Sequence, residues 1–286
     1  MAERLEDFIT KVFKPQPHLI GRGIMPAGGK IIIGGEAKSN KSWIVLNILL
    51  DLVRGRPIFG AIYKSGKQVM PVIQPYRALY LDQELGEQGL RERLTGTEGK
   101  PGLISGVDCK GLNLYVKPKD TGMRLDTPEG RDFVDGELTV SRPDVVFADP
   151  LTKFHLSDEN SSQEMSAVLR AADHIIEKHG CAMCFVHHTS KPFKDDIKQG
   201  GNRLRGSSAI FGDIDTFIEV SRLSHEHHPE PILRLDFTLR RGEPMEPLFV
   251  RRRRDGTVEW QGEDFAFGQT SSENKESYPR SKYKDL

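Results

Sequence analysis

Chemistry concentrates first between Gly35 and Trp43, where the chain reads GEAKSNKSW. The residues are Gly35, Glu36, Ala37, Lys38, Ser39, Asn40, Lys41, Ser42 and Trp43, a G-x-x-x-x-G-K-S spacing with Asn40 in place of the second glycine. A strand that stops here, a loop that turns its N–H groups inward, and a helix that opens its positive end onto the same spot together make an anion site. In such a loop Lys41 reaches the β- and γ-phosphates of a nucleotide and the Ser42 hydroxyl ligates Mg²⁺. Asparagine is the residue after glycine that best tolerates φ > 0, so the loop geometry absorbs the departure at Asn40. The competing explanation is an ordinary strand–turn–helix rich in small polar residues. GGKIIIGG in front and WIVLNILLDLV behind decide against it, because they supply both flanks that a phosphate loop requires.

A bound triphosphate also needs carboxylates. DVVFADP ends an apolar run at Asp149, where a strand tip would hold the metal's water shell. LYLDQE offers a second acidic strand end, and Glu84 is the candidate to polarise an attacking water. Asp82 lies two residues earlier on the same strand face, so periodicity alone leaves the choice between them open.

Other reactive side chains carry less. Cys181 and Cys184 form a C-x-x-C, but in a strand residues three apart point to opposite faces, which favours core packing over zinc or redox chemistry. His225, His227 and His228 cluster in SHEHHPE without an evident fourth metal ligand, and a solvated loop is the heavier reading. Of Arg251 to Arg254, at most two can share a strand face; DNA, acidic partners and a subunit interface all remain open for that run.

The elements that must position these groups alternate along the chain. Near-continuous apolar runs at 30–35, 77–84, 144–150 and 181–188 suit strands buried on both faces of a parallel sheet. Between them, helices are expected from Ser42 to Arg54, Glu87 to Thr95, Thr127 to Val140 and Ser162 to His179, the last stopped by Gly180. After Asp215 the rhythm changes: DTFIEV, ILRLDFTLR and EPLFVRRRR are strands with no helix-length gap, and 240–247 reads as a hairpin loop. The fold class is therefore α/β, a mostly parallel central sheet flanked by helices and extended by a C-terminal antiparallel hairpin.

Composition sets the limits. The chain has 286 residues, and its 41 Lys+Arg balance 41 Asp+Glu, so nucleic-acid contact would need a local basic stripe rather than a general positive field. No run approaches the ~18 apolar residues of a membrane span. MAERLEDFITKVF reads as an acidic-flecked amphipathic helix rather than a signal peptide, and three cysteines make no disulfide framework, so a cytoplasmic location is expected.

The phosphate loop, LYLDQE, DVVFADP, FVHHTSK and RGSSAIFGDID occur in the order found in RecA-type ATPases, which the chain resembles from about Leu19 to Arg254. Within them it is most similar to the plasmid RepA-like and DnaB-like hexameric helicases. The resemblance implies a RecA-like P-loop fold over 19–264, preceded by a helical segment over 1–18 and followed by a polar, disordered tail over 265–286. It also implies ATP and Mg²⁺ as cofactors and a homo-oligomeric ring, a hexamer in those helicases. Lys41 and Ser42 match the phosphate and metal contacts, Asp149 the Walker-B aspartate, and Glu84, better than Asp82, the catalytic glutamate. His188, or else His187, matches a strand-end sensor of the γ-phosphate. The following basic loop, with Lys191, Lys194, Lys198, Arg203 and Arg205, matches the segment that touches single-stranded DNA, a solvated loop being the alternative. Arg241, with Arg240 in reserve, matches the arginine finger that such proteins offer to a neighbouring subunit's ATP. A loader or regulatory switch on the same fold is the second function class; a small-molecule phosphotransferase fits less well.

Overall fold

The alternation of buried runs and amphipathic stretches builds a doubly covered sheet. A computed structural model describes residues 3–12, 16–105, 109–120, 122–189, 208–224 and 228–265. In chain order its helices are α1 (Leu5–Thr10), α2 (Lys41–Arg54), α3 (Gly86–Thr95), α4 (Pro128–Ser141), α5 (Ser162–His179) and α6 (Ser208–Asp213). The strands are β1 (His18–Ile20), β2 (Met25–Pro26), β3 (Lys30–Gly35), β4 (Ala78–Asp82), β5 (Gly96–Thr97), β6 (Lys100–Pro101) and β7 (Leu114–Lys117), then β8 (Val145–Asp149), β9 (Ala182–His188), β10 (Thr216–Arg222), β11 (Ile232–Leu239), β12 (Leu248–Arg252) and β13 (Val258–Trp260).

Among the described residues, nine strands form the central sheet in the order β13-β12-β11-β10-β3-β9-β8-β4-β7. From β10 to β7 every pairing is parallel; from β10 to β13 every pairing is antiparallel. The α/β class with its C-terminal antiparallel extension is thus the observed architecture. That extension has one strand more than the sequence announced, because β13 is only Val258–Trp260, too short to show a period. The edge strand β7 was also missed: Tyr115 and Val116 are exposed, so Leu114–Lys117 lacks the apolar run that marked its neighbours.

Strand alternation sorts the core into two layers. Ile31, Ile33, Tyr80, Phe147 and Cys184 pack with α2, while Ile32, Leu79, Val146, Phe185 and Cys181 pack with α4 and α5. Cys181 and Cys184 therefore sit in different layers, both buried as thiols, and burial raises the pKa of each. Helix ends follow local rules. Ser161 Oγ accepts from Glu164 N–H at 3.3 Å to start α5, and Gly180 at φ 66° stops it. α1 buries none of its residues: Leu5, Phe8 and Ile9 all stand exposed. No helix among the described residues is long and apolar enough to cross a membrane.

Candidate functional site

The carboxyl ends of the parallel strands converge on a cavity of about 340 Å³, within the range of small-ligand pockets. Its wall takes Lys38 to Trp43 from the loop after β3, Glu84 from beyond β4, and Asp149 and Pro150 from the end of β8. Val186 and His188 come from β9, Arg222 from the end of β10, and Arg93 from α3. This is the crevice where an open parallel sheet binds ligands.

The loop has the wrapped form that phosphate binding needs. Lys38 and Asn40 have left-handed backbones, φ 63° and 71°. Gly35 must lack a side chain, since a Cβ there would lie 2.5 Å from the Val220 carbonyl oxygen and 2.6 Å from Ser39 Oγ. Lys41 opens α2 and is buried. Its ammonium donates to the carbonyls of Gly35 at 2.9 Å and Glu36 at 2.8 Å, and His188 Nδ1 lies 3.4 Å away. Burial pulls its pKa down to about 8, against the pull of Asp149, Glu84 and Glu36. Gly35 and Glu36 thus contribute main-chain carbonyls to this ammonium.

Asp149 is 1% exposed at the tip of β8. One carboxylate oxygen, Oδ2, accepts from the Tyr80 phenol at 2.9 Å, and the Ser42 side chain also bonds this carboxylate. Burial dominates and raises its pKa to about 6, with the two hydrogen bonds opposing and the charges of Glu84 and Asp82 adding to the rise. The two acidic groups left open by periodicity occupy different places. Asp82 is fully buried and accepts three backbone N–H bonds, from Glu84 at 3.1 Å, Leu85 at 3.0 Å and Gly86 at 2.8 Å. Its carboxylate is spent on turning the chain into α3, while Glu84 lines the cavity. Of the two histidines, His188 lines the cavity and His187 is fully buried in β9.

Three polar atoms at this loop are buried without a hydrogen-bond partner among the described residues: Ser39 Oγ, Asn40 Nδ2 and Asp149 Oδ1. Two donors beside a buried ammonium, and one carboxylate oxygen facing them, suit an anionic phosphate chain and its hydrated Mg²⁺. The residues present fit both groups.

Some sequence candidates lie elsewhere. Leu239 pairs with Thr216, which pairs with Ile31, so Arg240 and Arg241 sit at the amino-terminal edge of the sheet. Four residues of β3, about 13 Å of strand, separate that level from Gly35. Arg241 is exposed there, donating to Gln16 Oε1 at 3.1 Å and lying 4.0 Å from Asp215. Lys191, Lys194, Lys198, Arg203 and Arg205 lie outside the described residues, as do His225 and His227. His228 Nδ1 accepts from Glu230 N–H, and among the described residues no group of three metal-binding side chains is assembled. The arginine run splits by face: Arg253 pairs with Glu259 at 2.8 Å and Glu230 at 3.2 Å, whereas the Arg252 guanidinium lies over the Trp43 ring and donates to the Pro229 carbonyl.

Sequence reasoning missed Arg93 and Arg222, and for Arg252, one of the Arg251–Arg254 run, it left the surroundings open. The guanidiniums of Arg93 and Arg252 lie 5.1 and 5.5 Å from the Trp43 ring centre. Asn47 fastens the β12–β13 turn beneath, donating to Trp43 O and Gly256 O and accepting from Val258 N–H. Arg222 ends β10, but Glu219 and Ser221 interrupt the apolar run before it, so the strand-end signal that marked Asp149 is lacking there. Arg93 has none either, because its position depends on the direction in which α3 leaves the sheet.

Known proteins can now be set beside this geometry. A family model described as an AAA domain matches residues 2–193. A KaiC-like protein from the hyperthermophilic archaeon Pyrococcus horikoshii OT3 superposes with a TM-score of 0.55, covering 85% of this chain and 93% of that one at 12% identity. At that identity the likeness concerns the fold alone. No curated protein matches the sequence.

The buried Asp149 carries a cost that its pH dependence exposes. Its carboxyl titrates near 6 when folded against an ordinary 3.8, so the ionised form is penalised. The penalty is absent below about pH 4, grows between those values, and is complete above about pH 6, at about 3 kcal/mol. Asp149→Asn should therefore raise the melting temperature of the nucleotide-free protein at pH 8, with the advantage shrinking toward pH 4. Equal melting at pH 8, or an advantage that grows on acidification, would contradict the geometry described.

Proposed function

The chain belongs to the AAA domain family and has the RecA-type P-loop ATPase fold, and on that premise we propose that it binds and hydrolyses ATP as a ring-forming, DNA-dependent motor of the replicative-helicase kind. One observation carries the catalytic part. A buried lysine ammonium held only by carbonyls and a histidine, and a buried carboxylate with an unpartnered oxygen, line the same cavity with Glu84.

Each residue has a role that its surroundings support. Lys41 neutralises the β- and γ-phosphates, and the amino-terminal end of α2 adds its dipole. Ser42 and Asp149 would hold Mg²⁺, whose charge would offset that of the phosphates. Tyr80 fixes the Asp149 carboxylate through Oδ2 and leaves Oδ1 for the metal's water shell. Glu84 accepts the proton of the attacking water, since Asp82 is committed to three backbone bonds. His188, 3.4 Å from the Lys41 ammonium, stands where it senses the γ-phosphate and passes that state to the chain after β9. The cations between Lys191 and Arg205 would bind DNA phosphates in a salt-dependent way.

The position of Arg241 supports a ring. It is an exposed guanidinium on the sheet edge opposite the cavity, out of reach of its own site. Stacking the cavity edge of one subunit on the hairpin edge of the next is a heterologous contact, and such contacts form a ring where the rotation between subunits closes. Across it, Arg241 would supply charge to the neighbour's triphosphate at the transition state.

Turnover with and without single-stranded DNA tests the proposal. ATP hydrolysis stimulated by DNA is expected. Lys41→Ala should lose nucleotide binding, and Glu84→Gln should bind normally yet turn over about two orders of magnitude more slowly. Turnover that DNA leaves unchanged would remove the motor and leave a loader or switch; a folded Lys41→Ala protein with full affinity would remove the site.

Subunit sharing has its own test. Arg241→Ala should keep ATP binding while turnover falls by about 10³ or more. Mixing it with Lys41→Ala subunits should restore part of the activity, because some interfaces then pair an intact loop with an intact finger. Mixed assemblies that stay inactive, or a fully active monomer, would argue against a shared site.

A further inference from the structure

The residue before Lys41 is where the phosphate-loop pattern places a glycine, and this chain has Asn40 there. The backbone explains why glycine suits the position: φ is 71° and ψ 22°, the left-handed region. Asparagine is tolerated in that region, but tolerance gives no reason for a carboxamide. Its usual reason at a helix start is capping, and Asn40 is the residue that precedes the first turn of α2. Yet its side chain makes no capping hydrogen bond. The N–H groups of Trp43 and Ile44, the third and fourth residues of α2, go instead to the Asn40 main-chain carbonyl, both at 3.1 Å.

The side-chain amide is left with a cost. Asn40 Nδ2 is buried and has no partner among the described residues. The nearby loop carbonyls of Gly35 and Glu36 are already occupied by the Lys41 ammonium. Ser39 Oγ, one residue earlier, is buried and unpartnered as well. Asn40 lines the cavity between Lys38 and Lys41. A buried NH₂ with no acceptor is destabilising, and glycine would remove it while fitting the backbone better. An anion entering the loop would supply the missing acceptor.

We propose that Asn40 is a phosphate-binding residue, its Nδ2 donating to an oxygen of the bound nucleotide's phosphate chain in addition to the backbone donors of the loop. The proposal rests on the reading of the cavity as a nucleotide site. It reverses the expectation attached to the sequence pattern, in which restoring glycine should be neutral or beneficial. A hydrogen bond from an amide to a phosphate oxygen is charge-assisted and among the stronger kinds.

The test is equilibrium titration of wild type, Asn40→Gly, Asn40→Asp and Lys41→Ala with a non-hydrolysable ATP analogue, ADP and inorganic tripolyphosphate, in the presence of Mg²⁺. Asn40→Gly should bind the analogue about tenfold more weakly than wild type, although its nucleotide-free melting temperature is unchanged or higher. Asn40→Asp tolerates the same backbone but sets a carboxylate against phosphate, and should bind more weakly still. Tripolyphosphate should show the same ranking, since the contact is to phosphate rather than to base or ribose. If Asn40→Gly binds as tightly as wild type, or more tightly, the carboxamide makes no such contact and the proposal is wrong. If wild type and Lys41→Ala both fail to bind, the nucleotide site itself is withdrawn, and this proposal with it.

Discussion

The structure is organised around a buried ammonium whose charge the carboxylates of Asp149, Glu84 and Glu36 offset only in part. Lys41 is 6% exposed, and its hydrogen-bond acceptors are two main-chain carbonyls. Carbonyls orient an ammonium but carry no charge to offset it, which is why desolvation prevails and its pKa falls to about 8. The amino-terminal dipole of α2 adds positive potential at the same point. This arrangement persists because the helix behind it is fixed. α2 buries ten of its fourteen residues, and the Asn47 side chain ties it to the β12–β13 turn. Opposite stands Asp149, a carboxylate whose burial raises its pKa to about 6. A polyanion with a divalent cation relieves both groups at once.

The two edges of the sheet therefore differ in kind. The carboxyl edge gathers Lys41, Glu84, Asp149, His188 and Arg222 around an open cavity. The amino edge is closed by internal pairing: Lys30 is buried between Asp173 and Asp213, and Asp215 accepts from the Lys30 N–H. Arg240 and Arg241 belong to that second edge, fastened to the segment just after α6. A molecule with a charged, unfinished face at one end and an exposed guanidinium at the other is suited to head-to-tail assembly.

Much of this was legible because the signals were local. KIIIGG, Ser162–His179 and its stop at Gly180 appear in the fold with the bounds their patterns gave. Burial on both faces makes a strand's apolar run continuous, and Asp149 was found as the polar residue that ends such a run; His188, with His187 as the alternative, came from the resemblance to RecA-type ATPases. Asp82 and Glu84 show the limit of that logic. Both are acidic and share a strand face, and the difference is that three amides at the start of α3 claim one of them. Arg93, Arg252 and the seat of Trp43 on Gly256 join segments up to 213 positions apart, and no local pattern encodes such a meeting. Tyr80 was likewise hidden, because as a core aromatic it looks like packing until Asp149 is seen beside its hydroxyl.

The central claim is that this loop and cavity hold a metal-bound triphosphate. A crystal structure of the chain with Mg²⁺ and a non-hydrolysable ATP analogue tests it most directly. The expected result is density for the β- and γ-phosphates within hydrogen-bonding distance of Lys41 Nζ, with the metal beside Ser42 Oγ and Asp149. An analogue bound away from residues 35–42, or a cavity that stays empty at saturating analogue, would contradict the account.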